Sequence, residues 1–271
     1  MFYKNISILI IILFIITEYD REFSDTPNQP YFYYNSGTYK LGFFNTLVRL
    51  FHPSHTHVFN VENFEEHHII KNGYDDIRME ALNINNSKKL LNMKDLYEDG
   101  FSAIDSVPNT WKVYVLKWYD KPLQNAQISC PKTIEILNKC KNIKAAMFSI
   151  LEPGKYIKPH RGPFTGCLRY HFGIKIPKDR KNCWIQVNNE KFYWDEGEAL
   201  IFDDTYTHSV YNNTDETRII LFIDIVRPLI FPFNKINDII INSASTADFI
   251  KNINDISETV NDIYPQEEKK M

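Results

Sequence analysis

Between residues 111 and 226 the chain breaks into short apolar runs rich in β-branched and aromatic residues, at 111–118, 145–151, 168–176, 183–187, 191–194, 199–202 and 218–226. Turn signals punctuate them, notably Pro153-Gly154 and Asn188-Asn189. Runs of this length are strands, because the pleat needs only a few residues to cross a small core. One helix is expected among them, at 132–141. Many short strands in succession predict a mainly β chain closed as a sandwich or jelly roll, with helices on its flanks.

The flanks have a different texture. Leu41, Phe43, Phe44, Leu47, Leu50 and Phe51 recur at helical spacing and predict a short amphipathic helix. Residues 60–105 read as mainly helical, with segments at 75–82 and 87–97, so 41–110 is expected to form a helical N-terminal part. Residues 18–40 carry Pro27 and Pro30 among polar and aromatic residues and read as a linker. After Pro228 the chain turns polar and Asn/Ile-rich. One or two helices are expected over 236–256, inside a C-terminal extension at 229–271.

Residues 6–16 read ISILIIILFII, with Lys4 before them and Glu18, Asp20 and Glu22 after. Counted with its neighbours, this run approaches the roughly 17 residues that a spanning helix needs. No small-x-small cleavage site follows. Residues 1–17 are therefore expected to be an uncleaved, single-pass signal anchor, the alternative being a buried strand or helix. The positive charge in front places the rest of the chain on the lumenal or extracytoplasmic side of the membrane.

Charge excludes one class of partner. The 31 basic and 34 acidic residues give a formal net charge of −3, whereas a nucleic-acid binder normally carries a basic surplus. An apolar fraction of 44% excludes a globally disordered chain. Cys130, Cys140, Cys167 and Cys183 form no C-x-x-C pair and are expected to be mostly free, buried thiols.

Within the β-rich region lie Ser149, His160, Arg169, His171, His208 and Arg218. Singly, each has a bland reading: a core or surface histidine, an edge arginine. His160 and His208 can converge if they lie on strands at opposite ends of one sandwich. Neutral imidazole suits Fe(II), Zn and Cu alike, so the pair alone names no metal.

The order of the surrounding pieces carries more. W-K-V-Y-V-L, C-P-K-T, F-S-I-L-E-P-G, I-K-P-H-R-G, L-R-Y-H-F-G-I-K-I-P, W-D-E-G-E-A-L-I-F-D-D-T-Y-T-H and R-I-I-L-F-I-D-I-V-R-P follow one another from Trp111 to Pro228. In this order they resemble the aspartyl/asparaginyl β-hydroxylase family of Fe(II)- and 2-oxoglutarate-dependent dioxygenases. The resemblance implies a double-stranded β-helix (jelly-roll or cupin-like) core over 111–228, with Fe(II) as metal and 2-oxoglutarate and O2 as co-substrates. It puts His160 and His208 at the iron-ligand positions. In the wider superfamily a carboxylate two residues after the first histidine completes the facial triad. Here that position is Gly162, and this family is similar in lacking the ligand. Asp204 is then expected to act from behind a bound water, as outer carboxylates do.

For 2-oxoglutarate, the resemblance implies Arg218 on the far carboxylate, with a hydrogen bond from Ser149. Arg169 and His171 alternate across Tyr170, so they share a strand face and are implied as further co-substrate contacts. Trp184, Trp194 and Tyr206 are candidates for the pocket mouth, and Arg161 for a substrate carboxylate. The family name implies the β-carbon of Asp or Asn in a polypeptide as the site of hydroxylation. The bacterial branch includes membrane-attached lipid A acyl-chain hydroxylases, and F-F-N-T-L-V-R-L-F resembles that branch, so a lipid acyl chain is the alternative substrate. A reading of another class is an inactive jelly-roll module that binds a carboxylate or a protein partner.

Overall fold

The computed structural model describes residues 44, 45, 47–49, 51, 52, 56–87, 90–96, 110–119 and 121–244. The anchor expected at 1–17, the linker at 18–40 and the chain after 244 lie outside the described residues. Among the described residues no helix is long and apolar enough to cross a membrane.

Twelve strands form two antiparallel sheets: β1 (Val58–Phe59), β2 (Leu91–Asn92), β3 (Trp111–Trp118), β4 (Lys121–Pro122), β5 (Ile143–Leu151), β6 (Lys155–His160), β7 (Cys167–Lys175), β8 (Cys183–Val187), β9 (Glu190–Tyr193), β10 (Ala199–Phe202), β11 (His208–Asn212) and β12 (Arg218–Val226). The major sheet runs β1-β10-β7-β12-β5-β3-β2, with β4 paired to β3, and the minor sheet runs β6-β11-β8-β9. Successive strands cross between two facing sheets, which is the jelly-roll arrangement the sequence predicts.

Burial explains the composition of each strand. β5 and β12 are almost continuously apolar because they are central strands with both faces covered. In β8 only alternate residues point inward, so Cys183, Ile185 and Val187 are buried while Trp184 and Gln186 face out. The β8–β9 hairpin turns on Asn188 and Asn189, with φ of 52° and 59°. Asparagine tolerates the left-handed region that such a two-residue turn demands.

Among the described residues the longer helices flanking the sheets are α1 (Glu65–Asn72), α2 (Tyr74–Asn86), α3 (Gln124–Ser129), α4 (Pro131–Lys139) and α5 (Phe233–Ala244). Ile70 of α1, Ile77, Ala81 and Ile84 of α2, and Ile134 and Leu137 of α4 enter the same core as the sheets. The buried Glu80 carboxylate accepts from the Lys132 and Thr133 amides (3.0 and 2.8 Å) and from Thr133 Oγ1 (2.6 Å), so α2 caps the N-terminus of α4.

A second, smaller core joins Phe44 and Val48 to Leu229 and Phe233, with Leu47, Phe164 and Ile240 packed on it. The helical residues there match the amphipathic helix expected near 41–51. All four cysteines are free thiols; Cys130, Cys140 and Cys183 are buried.

Three expectations need correction. The helix expected at 87–97 is instead strand β2 followed by one short turn, Met93–Leu96. β1 and β2 form the two opposite edges of the major sheet, so 41–110 is not purely helical. Strands β6 and β11 were absent from the periodicity reading, yet they carry both histidines. And those histidines do not sit at opposite ends of the sandwich.

Candidate active site

His160 closes β6 and His208 opens β11, and the two are direct cross-strand partners in the minor sheet. Their ring centroids lie 4.1 Å apart. A neighbouring pair on antiparallel strands brings side chains together more closely than any end-to-end arrangement. His160 Nδ1–H donates to the Lys158 carbonyl at 2.8 Å, and His208 Nδ1–H donates to the Tyr206 carbonyl at 3.0 Å. A carbonyl only accepts, so each ring is fixed in one tautomer with Nε2 left as a lone-pair donor. Burial, and for His160 also the adjacent His208, pull the ring pKa values down to about 3 and about 4. Both imidazoles are therefore neutral near pH 7, the form that binds metal.

This has a consequence for stability. The unfolded histidines take up protons below about pH 6.5, whereas the folded ones resist until about pH 4 or 3. Stability of the metal-free protein is thus full above pH 6.5 and falls as pH drops through that window. Thermal melts of EDTA-treated protein across pH 7 to 4 are expected to show this slope, and His160→Gln/His208→Gln to make it shallower, leaving the part that the buried His67 and His171 contribute.

Gly162 stands two residues after His160, and its amide donates to the Asp204 carbonyl at 2.6 Å. A Cβ built at position 162 would run into the Asp204 carboxylate. The space beside the histidines where a side chain at 162 would begin is therefore filled by Asp204. Burial raises the Asp204 carboxyl above its ordinary value, and the Arg169 guanidinium, 2.5 Å from Oδ2, opposes that rise. Among the described residues no set of three or more His, Cys, Asp or Glu is arranged as a metal cluster. Gly162→Ala is expected to push Asp204 off Arg169 and to destabilise the fold by about 1–3 kcal/mol, the usual cost of overpacking. A melt and an anaerobic Fe(II) titration check it, the second expected to show weaker binding.

Arg169, a candidate co-substrate contact, lies between Asp204 and Asp224, with its guanidinium 4.3 Å over the Phe222 ring. The register explains this, because Asp224 is Arg169's direct partner across β7 and β12. Two carboxylates face this charge on one side of the pocket.

Ser149, His171 and Arg218 meet on the inner face of the major sheet, on β5, β7 and β12. Arg218 is 2% exposed. Its Nη2 donates to Ser149 Oγ at 3.3 Å, its guanidinium lies 4.9 Å over the Trp194 ring, and its Nε has no partner. No carboxylate among the described residues pairs with it. Burial pulls its pKa down to about 10. Ser149 Oγ also accepts from Trp111 Nε1 at 3.1 Å, so its own O–H is left to donate elsewhere. His171 is buried with neither ring nitrogen hydrogen-bonded, packed among Trp194, Phe202 and Phe222 at 5.1–6.1 Å. Burial, with the Arg218 and Arg169 charges, holds its pKa well below 6.5, so it is neutral. A buried cation and two unsatisfied ring nitrogens are costly when empty-handed, and they fit an anionic, hydrogen-bonding ligand.

The remaining candidates divide. Trp194 is 2% exposed and lines this cradle. Tyr206 is half-buried beside His57 at 5.8 Å and supplies the carbonyl that fixes His208. Arg161 Nε donates to Thr207 Oγ1 at 2.9 Å, on the loop before His208. Trp184 is a correction: strand parity puts it on the outer face of the minor sheet, stacked on Tyr211 at 3.8 Å with Lys191 over its other side at 4.0 Å. Sequence reasoning passed over Trp111, Asp224 and a buried clamp. In that clamp Arg227 donates to Asp203 Oδ2 (2.5 Å) and Thr165 Oγ1 (2.7 Å), while Asp203 Oδ1 accepts from the Thr205 amide (3.0 Å). It ties the loop after His160 to the loop before His208. Arg227 and Asp203 stand in the quoted motifs, but only the fold brings them together.

Residues 71–228 match the family model described as aspartyl/asparaginyl beta-hydroxylase. Among curated proteins the chain is similar to the ornithine lipid ester-linked acyl 2-hydroxylase of Rhizobium tropici, 37% identical over 186 residues, which cover 67% of this chain and 64% of that protein. It is also similar to the human aspartyl/asparaginyl beta-hydroxylase, 34% identical over 127 residues, covering 45% of this chain and 16% of that protein. The matched stretch thus spans less than two thirds of either relative. Among solved structures, a Trichoplax adhaerens prolyl hydroxylase in complex with a hypoxia inducible factor peptide fragment aligns with a TM-score of 0.43 at 14% identity, over 57% of this chain and 78% of that one.

Proposed function

The chain belongs to the aspartyl/asparaginyl β-hydroxylase family, and from that premise we propose that it is an Fe(II)- and 2-oxoglutarate-dependent dioxygenase. The observation that carries the reading is Arg218: a guanidinium buried without a carboxylate partner, on the sheet facing two converging neutral imidazoles. Ferrous iron, with 2-oxoglutarate and O2, supplies the power to hydroxylate an unactivated C–H when bound. His160 and His208 would hold the metal through Nε2. Arg218 would pair with the far carboxylate of 2-oxoglutarate, and the Ser149 O–H would donate to it. His171, kept neutral, would offer one donor and one acceptor. Asp204, positioned by Arg169 and the Gly162 amide, would accept from a water at the position without a protein ligand. Trp194, Phe202 and Phe222 keep bulk water from this volume, which strengthens each polar contact inside it.

For the substrate, a lipid acyl chain has the stronger support. The match to an acyl 2-hydroxylase is both longer and closer than the match to the polypeptide hydroxylase. Asp or Asn in a polypeptide is the second reading, favoured by the description of the family model. Attachment through 6–16, with the jelly roll on the extracytoplasmic side, belongs to the same proposal. The test is anaerobic reconstitution with Fe(II), followed by O2, 2-oxoglutarate and either lipids or peptides. Succinate is expected in step with a hydroxylated acyl product. Failure to bind both metal and 2-oxoglutarate would leave only the inactive binding module.

A further inference from the structure

Eight large apolar side chains are exposed among the described residues, and five of them belong to two adjoining segments: Phe51 (62% exposed), Ile230, Phe231 (78% exposed), Ile236 and Ile239. The small second core joins these segments. Phe51 lies one turn beyond Leu47 and Val48, Ile230 and Phe231 lie between Leu229 and Phe233, and Ile236 lies one turn beyond Phe233. The five therefore stand in the same two segments as the members of one buried cluster. A soluble surface scatters such residues singly, and a concentration of this kind marks a contact.

The cluster is tied to the active-site rim. Asn45 donates to the Pro163 carbonyl at 2.8 Å and accepts from the Thr165 amide at 2.9 Å, both on the loop that follows His160. Asn237 of α5 donates to the Gly166 carbonyl at 2.9 Å. Phe164 of that loop packs on the cluster, 5.6 Å from Phe44. Whatever covers the apolar face therefore lies beside the loop that follows His160.

We propose that this face docks on a lipid bilayer, seating Phe51, Phe231 and Ile239 at the level of the upper acyl chains so that the site opens at the membrane interface. The proposal rests on the acyl-chain reading above. Two further features select a bilayer over a protein. The chain ahead of the helical residues 44, 45 and 47–49 carries the apolar run 6–16, which would hold this end of the domain near a membrane. And the exposed residues are bulky aromatic and aliphatic side chains, four of them on α5 and the residues just before it and the fifth the helical Phe51, the composition of an interfacial anchor. Docking solves a physical problem, because an acyl chain leaves its bilayer at a cost of about 0.8 kcal/mol per CH2. A mouth held at the interface lets the chain pass from lipid to pocket without crossing water.

The test uses the full chain in phosphatidylcholine/phosphatidylglycerol vesicles whose acyl chains are brominated near the headgroup. Phe231→Trp adds a fluorophore on the face, and Met79→Trp adds one on α2, on the flank of the main core. The added emission at 231 is expected to be quenched about twofold or more, and that at 79 to be spared. Equal quenching at both sites, or none at 231, overturns the proposal and leaves the face to another part of the chain or to a protein. Phe51→Asp/Phe231→Asp is expected to lower acyl hydroxylation in vesicles about tenfold while sparing the rate on the same lipid in detergent micelles. An equal loss in both settings also overturns it. Selective quenching at 231 with no acyl product in either setting upholds docking and ends the acyl-chain reading instead.

Discussion

His208→Ala is expected to abolish Fe(II) binding and turnover together while leaving the jelly roll intact. On the proposed site, with two histidine ligands and Gly162 where the usual carboxylate would stand, the metal would have no third side chain to fall back on. Each ring is aimed by a carbonyl of its own strand segment, Lys158 for His160 and Tyr206 for His208. Neither ring therefore substitutes for the other. Anaerobic titration with Fe(II), read beside far-UV circular dichroism, checks both halves of the expectation. Wild-type affinity in a folded variant would remove His208 from the metal site.

Arg218 gives the second large effect, and it separates binding from stability. Arg218→Ala is expected to raise the 2-oxoglutarate requirement by roughly one to three orders of magnitude, since a charge-assisted hydrogen bond is worth ~1.5–3 kcal/mol and its partner is left unpaired. Arg218→Met fills more of the space. In the absence of 2-oxoglutarate this variant is expected to melt higher than wild type, because an uncompensated buried guanidinium is replaced by an apolar side chain, a change worth ~1–4 kcal/mol in comparable cases. Adding 2-oxoglutarate is expected to raise the melting temperature of wild type by mass action and to do nothing for Arg218→Met. A variant that keeps the ligand-induced rise would show that the anion is held elsewhere.

Much of the jelly roll was legible because its major sheet is buried on both faces. β3, β5, β7 and β12 must be rich in apolar and β-branched residues, and that composition is visible without a fold. β6 and β11 were not legible. β6 contains Lys155, Lys158 and Pro159, and β11 is five residues carrying His208, Ser209 and Asn212. They are strands because they pair with each other and with β8, a tertiary reason that local pattern does not hold. The histidines were accordingly found by the order of motifs, and their adjacency only by the register. Arg169 shows the same limit. Its place on a face followed from alternation with His171, but its engagement by Asp224 depends on which residue the next strand sets opposite. Trp184 and Trp194 look alike in sequence; strand parity sends the first outward and the chain after β9 folds the second against Arg218.

The histidines belong to the minor sheet, and Ser149, His171 and Arg218 to the major one. On the proposed reading, the thickness of the sandwich would be a built-in gauge, its calibration setting which length of keto-diacid could reach from one wall to the other. The residues on the strands would hold that setting, and changes farther out on the rim could then admit a different substrate without disturbing it.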